Sequence, residues 1–130
     1  MPAAYTLADV VVSASTDPEG FGRVIVEAQA MGRPVIATDH GGARETIQPG
    51  DTGWLVPPRD PGALSAAIAE ALALDPAARA AFAERSRAHV AANYTRELMC
   101  ARTIEVYEEL LFPEPARDAA AEAELLPASA

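Results

Sequence analysis

Two changes of hydrophobic period between Val10 and Ala37 leave this chain few ways to fold. Val10-Val11-Val12 is a short run of strand-forming residues, too short to be a helix alone. It ends in small polar residues and the turn-forming Asp17-Pro18-Glu19-Gly20. From Gly22 the pattern changes: Phe21, Val24, Ile25, Ala28 and Met31 recur at three- and four-residue spacing, which predicts a helix with that apolar face. Gly32-Arg33-Pro34 stops the helix, and Val35-Ile36-Ala37 predicts a second, buried strand. Strand, helix and strand at this length form a βαβ unit, with parallel strands and a right-handed crossover.

Ligands of open α/β sheets bind outside the carboxyl ends of the strands, which is where Ser13 to Gly22 must lie. Gly20 and Gly22 remove side chains there, so backbone N–H groups can approach a ligand closely. Those amides open a helix, whose free donors and partial positive charge suit a phosphate. Glu19 lies before the helix and Glu27 within it. A carboxylate accepts hydrogen bonds from two hydroxyls at once, so both suit sugar or ribose diols better than phosphate.

Glu19, Phe21, Gly22, Glu27, Ala28, Ala30, Gly32, Pro34 and Val35 read E-x-F-G-x4-E-A-x-A-x-G-x-P-V. This string resembles the donor-binding signature of family 4 glycosyltransferases, retaining enzymes of the GT-B fold. The similarity continues through Gly41-Gly42-x-x-Glu45 and Thr52-Gly53-Trp54-Leu55-Val56-Pro57, on to about Leu111. The resemblance implies that Glu19 is the catalytic-site residue that holds hydroxyls of a donor hexose. It implies that Gly20, Phe21 and Gly22 turn their backbone toward the sugar and diphosphate, and that Glu27 holds the ribose hydroxyls. The substrate implied is a nucleotide-sugar, with no metal or other cofactor. Basic side chains and helix dipoles stabilise the leaving diphosphate in that family.

The family's basic phosphate clamp, base-binding strands and amino-terminal acceptor domain all precede this signature and are not in these residues. Pro2 to Leu7 reads as the end of a helix and a short connection without a start signal of its own. The expectation is that Met1 is an internal methionine, and that the chain is the carboxyl-terminal part of a longer enzyme and inactive alone. Two other readings keep the architecture. One is a non-catalytic half-domain remnant acting in binding or assembly; the other is a piece of a GT-B sugar-nucleotide epimerase. The two glutamates within F-G-x4-E-A favour the transferase.

A formal net charge of -9 argues against nucleic acid, which needs clustered cations. It also sits awkwardly with a diphosphate unless helix-terminal donors supply the attraction. Cys100 is the single cysteine, which excludes an internal disulfide and a cysteine zinc site. His40 and His89 have no metal-ligand spacing. With no leader pattern and no long apolar span, a cytoplasmic product without a transmembrane segment is expected. Work by the full-length enzyme at the inner face of a membrane is compatible with that.

Asp39-His40-Gly41-Gly42 follows the second strand and borders the same crevice. The two glycines suit either a tight turn or an anion nest, and His40 has two readings, a donor contact and, favoured over it, a polar loop residue. Ala43 to Ile47 predicts a short helical turn; Glu45 follows the family pattern, which implies a cap or a donor contact, and a structural role is favoured over these. Gly53 to Val56 is a third strand, with Trp54 as packing. Asp60-Pro61 and Asp75-Pro76 are helix starts. Leu64, Ala67, Ile68, Ala71 and Leu72 give the first of these helices its apolar face. Phe82 and Val90 are the larger apolar residues of the second, with Arg79, Arg85 and Arg87 on a solvated face. Thr95 caps a long helix to about Leu111, striped by Leu98, Met99, Thr103, Val106 and Leu110. The fold expected is therefore α/β and partial Rossmann-like, a GT-B carboxyl-terminal domain with three parallel strands flanked by helices, then a helical carboxyl-terminal segment. Residues 1–112 make the nucleotide-sugar-binding part, and 113–130, rich in Glu, Ala and Pro, a disordered tail.

Overall fold

A computed structural model describes residues 2–112; the expected tail lies outside them. Residues up to Thr95 form one compact unit and those from Arg96 another. The first unit holds three strands, β1 (Val11–Ser13), β2 (Val35–Thr38) and β3 (Trp54–Val56), in the order β1-β2-β3. Both pairings are parallel, with Val12 opposite Ile36 and Ile36 opposite Trp54. Helices α1 (Pro2–Leu7), α2 (Arg23–Ala30), α3 (Ala43–Thr46), α4 (Pro61–Leu72) and α5 (Pro76–Asn93) surround the sheet.

All four residues of β2 are buried, and their alternation builds two cores. Val35 and Ala37 point to one face, where Ile25 and Ala28 of α2 join Ala43 and Ile47. Ile36 points to the other, against Val56 and against Ala67 and Ala71 of α4. A strand covered on both sides must be apolar at successive positions, which is why V-I-A reads as a continuous run. Trp54 stacks on Phe82 of α5 with ring centroids 5.3 Å apart, so its role in packing holds.

Helix α2 departs from its expected face. It starts at Arg23, so Phe21 precedes it, and Phe21 and Val24 are each 44% exposed. The buried residues are Ile25, Val26, Ala28 and Gln29. The polar Gln29 replaces Val24 in the interior because its amide finds partners there. Nε2 donates to the carbonyl oxygens of Thr46 and Thr52 and to Thr52 Oγ1, at 3.0, 3.2 and 3.1 Å.

Of the α5 arginines, Arg85 and Arg87 are exposed as expected and Arg79 is half-buried, and each also finds a partner. Arg79 donates to the carbonyls of Asp9 and Ala71, and Arg87 to that of Met31. Arg85 pairs with Asp51. Long side chains reach free carbonyls at element ends, so these cations tether α5 to the strand–helix layer. Both proline-led helices are capped as expected: Asp60 Oδ1 accepts from Ala63 N at 2.9 Å, and Asp75 Oδ1 from Ala78 N at 2.7 Å. Replacing Asp75 by alanine is expected to lower stability by about 1 kcal/mol. The midpoint of urea unfolding checks this, and an unchanged midpoint rules the cap out as a contributor.

The second unit is described by α6 (Arg96–Leu111), one continuous helix none of whose residues is buried. Its apolar residues Met99, Ile104, Val106, Tyr107 and Leu110 are exposed.

Candidate functional site

The sequence-marked residues collect at the carboxyl ends of β1 and β2. Glu19, Gly20, Phe21 and Gly22 lie on the loop from β1 to α2, and Glu27 lies on α2. His40, Gly41 and Gly42 lie on the loop from β2 to α3, and Glu45 on α3. Gly22 is the residue before α2 and has φ 74, a left-handed conformation open to glycine at little cost. No side chain caps this helix. Ile25 N–H donates to the Gly22 carbonyl at 3.0 Å, and the Arg23 and Val24 N–H groups before it keep their donor capacity for something outside the helix.

The glycine pair has a use that neither expected reading named. The two loops touch backbone to backbone. Gly42 N–H donates to the Glu19 carbonyl at 2.9 Å, so that amide is committed within the protein. A methyl group on Gly42 would stand 2.6 Å from the Gly20 carbonyl oxygen and 2.7 Å from Phe21 Cα. One on Gly41, at φ 54, would meet the Glu19 carbonyl oxygen. Gly41 and Gly42 are the seat on which the Glu19–Phe21 loop rests.

His40 is a half-buried loop residue. Its Nε2 lies 2.9 Å from the Ser15 carbonyl oxygen, which also accepts from Thr38 Oγ1 at 2.8 Å. A carbonyl only accepts, so Nε2 carries a proton there. His40 and Thr38 thereby pin the start of the β1–α2 loop to the end of β2. Ser13, Ser15, Glu19, Thr38 and His40 line a cavity of about 10 Å³ beneath the loop. That is room for roughly one water.

Two tyrosines complete the arrangement, and no local sequence pattern marks either. Tyr94, at the end of α5, sets its ring edge-on to Phe21, centroids 5.6 Å apart, and donates its hydroxyl to the Glu45 carbonyl at 2.7 Å. Tyr5, on α1, donates to Glu27 Oε2 at 3.1 Å. Arg23 reaches Glu27 Oε1 at 3.4 Å, the i,i+4 pair that a surface helix commonly forms. Glu45 is held through its backbone, and its side chain is exposed.

The electrostatics of the loop are mild. Arg23 pairs with Glu27 and Arg44 with Asp39, so the arginines of α2 and α3 each face a carboxylate. What the loop offers a ligand is backbone donors at a helix start, between two carboxylates. Among the described residues there is no cluster of metal-ligating side chains, and no helix is long and apolar enough to cross a membrane.

The sequence model described as glycosyl transferases group 1 matches residues 1–89. A D-inositol 3-phosphate glycosyltransferase of Corynebacterium urealyticum is 41% identical over 106 residues, which are 82% of this chain and 24% of that protein. A glycosyltransferase of Rickettsia africae superposes with a TM-score of 0.80 at 38% identity, over 85% of this chain and 30% of that one. Anabaena Alr3699/HepE, solved in complex with UDP-glucose, superposes with a TM-score of 0.75 at 31% identity, over 82% of this chain and 29% of that one. The chain thus spans about a quarter of the length of the curated relatives it matches.

Proposed function

The chain belongs to the glycosyl transferases of group 1, and from that premise we propose that it is the donor-binding part of a retaining hexosyltransferase. The observation that carries the proposal is the start of α2. An uncapped helix opens on a left-handed glycine at the carboxyl edge of a parallel sheet, with Glu19 before it and Glu27 on it. A nucleotide-sugar has matching parts in the same order: a hexose diol, a diphosphate and a ribose diol.

In this reading Glu19 receives hydroxyls of the hexose and stands at the reacting centre. The amides from Gly20 to Arg23 face the diphosphate as it leaves with the charge of the broken bond. Fixed donors directed at developing charge lower the barrier because they need no reorganisation during the reaction. Glu27 receives the ribose hydroxyls. His40, Gly41, Gly42 and Glu45 serve the donor indirectly, by holding the loop. The proposal contains no metal or other cofactor, since helix-terminal donors take the diphosphate. The partner of these residues is an amino-terminal acceptor domain, and by themselves they bind donor without transferring it. The compartment proposed is the cytoplasm, with the acceptor at the inner face of a membrane.

Replacing Glu27 by alanine in the 130-residue chain is expected to weaken binding of nucleoside diphosphates about tenfold, the size of a hydrogen bond to a charged group. Titration followed by amide chemical shifts measures this even at millimolar dissociation constants. Equal affinity for both chains would remove Glu27 from the site. Incubation with labelled UDP-glucose is expected to give no transfer to sugar or lipid acceptors; a labelled product overturns the division of labour.

A further inference from the structure

Glu27 sits on an open helix face, its side chain 39% exposed. A glutamate there ordinarily samples several rotamers, and holding one of them costs conformational entropy. This one is gripped at both oxygens. Tyr5 donates to Oε2 at 3.1 Å, and Arg23 lies 3.4 Å from Oε1. The two partners differ in kind. Arg23 is on the same helix, and its side chain is 84% exposed, so its grip is loose and screened by salt. Tyr5 comes from another element, 22 positions away, and is half-buried against the core of Ile25, Ala28 and Val35. Its ring is therefore fixed by packing, and its hydroxyl points where that packing puts it.

We propose that Tyr5 is a positioning residue for ribose recognition, holding the Glu27 carboxylate in the orientation that accepts the ribose hydroxyls of the donor. This rests on the donor reading of Glu27 given above. One hydrogen bond to a carboxylate oxygen leaves lone pairs on both oxygens, so the phenol orients the group without filling it. Burial first, then the hydrogen bond to Glu27, holds the phenol above its ordinary titration range, so it remains a donor at neutral pH. A carboxylate fixed in this way meets a diol without first losing its own freedom, which is the general gain from preorganisation. The placement also gives α1 a function. Arg33 donates to the Thr6 carbonyl at 2.7 Å, so the turn between α2 and β2 anchors the helix that presents Tyr5.

The test compares ribose with 2′-deoxyribose. UDP and 2′-deoxy-UDP, and GDP and 2′-deoxy-GDP so that base preference does not decide, are titrated into the 130-residue chain by chemical shift. The unmodified chain is expected to prefer each ribonucleotide by about tenfold, and Tyr5→Phe to cut that ratio to about threefold. Glu27→Ala brings the ratio close to one, and Tyr5→Phe in that background changes nothing more, as expected when one residue acts through the other. A purely structural role for Tyr5 would weaken all four nucleotides together and leave the ratio intact, which overturns the proposal. An unmodified chain that binds without preferring ribose removes the Glu27 reading instead. Binding of none of the four at millimolar concentration removes both.

Discussion

Gly42→Ala is expected to weaken donor binding about a hundredfold while the sheet stays folded. The backbone at Gly42 has φ -62 and ψ -15, an ordinary helical conformation that alanine adopts readily. Nothing is lost through local strain at this position, so the effect has to come from space. The added methyl would stand 2.6 Å from the Gly20 carbonyl oxygen and 2.7 Å from Phe21 Cα. Both obstacles are backbone, and a backbone cannot rotate away as a side-chain tip can. The Glu19–Phe21 loop must lift, stretching the bond from Gly42 N–H to the Glu19 carbonyl. Overpacking of this kind costs about 1–3 kcal/mol in stability. Its effect on donor affinity is as large, because a lifted loop carries its amides away from the diphosphate, and one or two hydrogen bonds to a charged group, at about 1.5–3 kcal/mol each, amount to roughly a hundredfold. Gly50→Ala is the control. Gly50 has φ 78 with nothing within 4 Å of the added carbon, so alanine strains its turn and leaves the donor loop in place. Titration with UDP-glucose and a thermal melt on both variants separate the two effects. Unaltered donor affinity in Gly42→Ala would show that the loop contact has no part in binding.

The reason the architecture could be read in advance is that its determinants are local. The periods of Val10–Val12, Val35–Ala37 and the helix between them are set by which faces are buried. The Asp-Pro starts of α4 and α5 are likewise chemical signals within four residues, and both caps form. The misses share an opposite origin. Phe21 and Val24 fit a helical stripe, but the helix begins after Phe21, and the interior takes Gln29 in preference to Val24. Arg85 and Arg87 are solvated as expected, but the carbonyls and the carboxylate that they and Arg79 bind come from distant segments. The glycine pair was legible as a loop, but a nest, a turn and a seat for another loop are spelled alike. Tyr5 meets Glu27 across 22 positions and Tyr94 meets Glu45 across 49, separations at which no spacing rule operates. Around the β1–α2 loop the positions of the glycines and glutamates were therefore readable, and the residues that hold them in place were not.

Gln29→Leu is expected to lower stability by about 2–3 kcal/mol at neutral pH. Gln29 is fully buried on α2, under the segment that leads from α3 into β3. Its Nε2 serves three acceptors: the carbonyls of Thr46 and Thr52, and Thr52 Oγ1. Thr52 Oγ1 also accepts from Gln48 N–H at 3.0 Å, so one amide group organises the whole connection after α3. The orientation of the amide follows from these partners, since turning it over would set its oxygen against two carbonyl oxygens. Leucine has a similar volume, so little cavity opens, and the cost is that of acceptors left without a donor. Removing Oε1, which has no hydrogen-bond partner among the described residues, offsets part of it. Gln29→Glu is harsher, because a buried carboxylate would face three acceptors with nothing to donate. The consequence for function runs through Thr46, whose helix begins just after Gly42. If Gln29 secures that segment, donor affinity at 25 °C should fall only as far as the folded population falls, in contrast to Gly42→Ala. Urea unfolding of the 130-residue chain gives the first number and nucleotide titration the second. An unfolding free energy within about 0.5 kcal/mol of the unmodified chain's, the size expected for neutral surface changes, would mean that the three hydrogen bonds do not hold this region together.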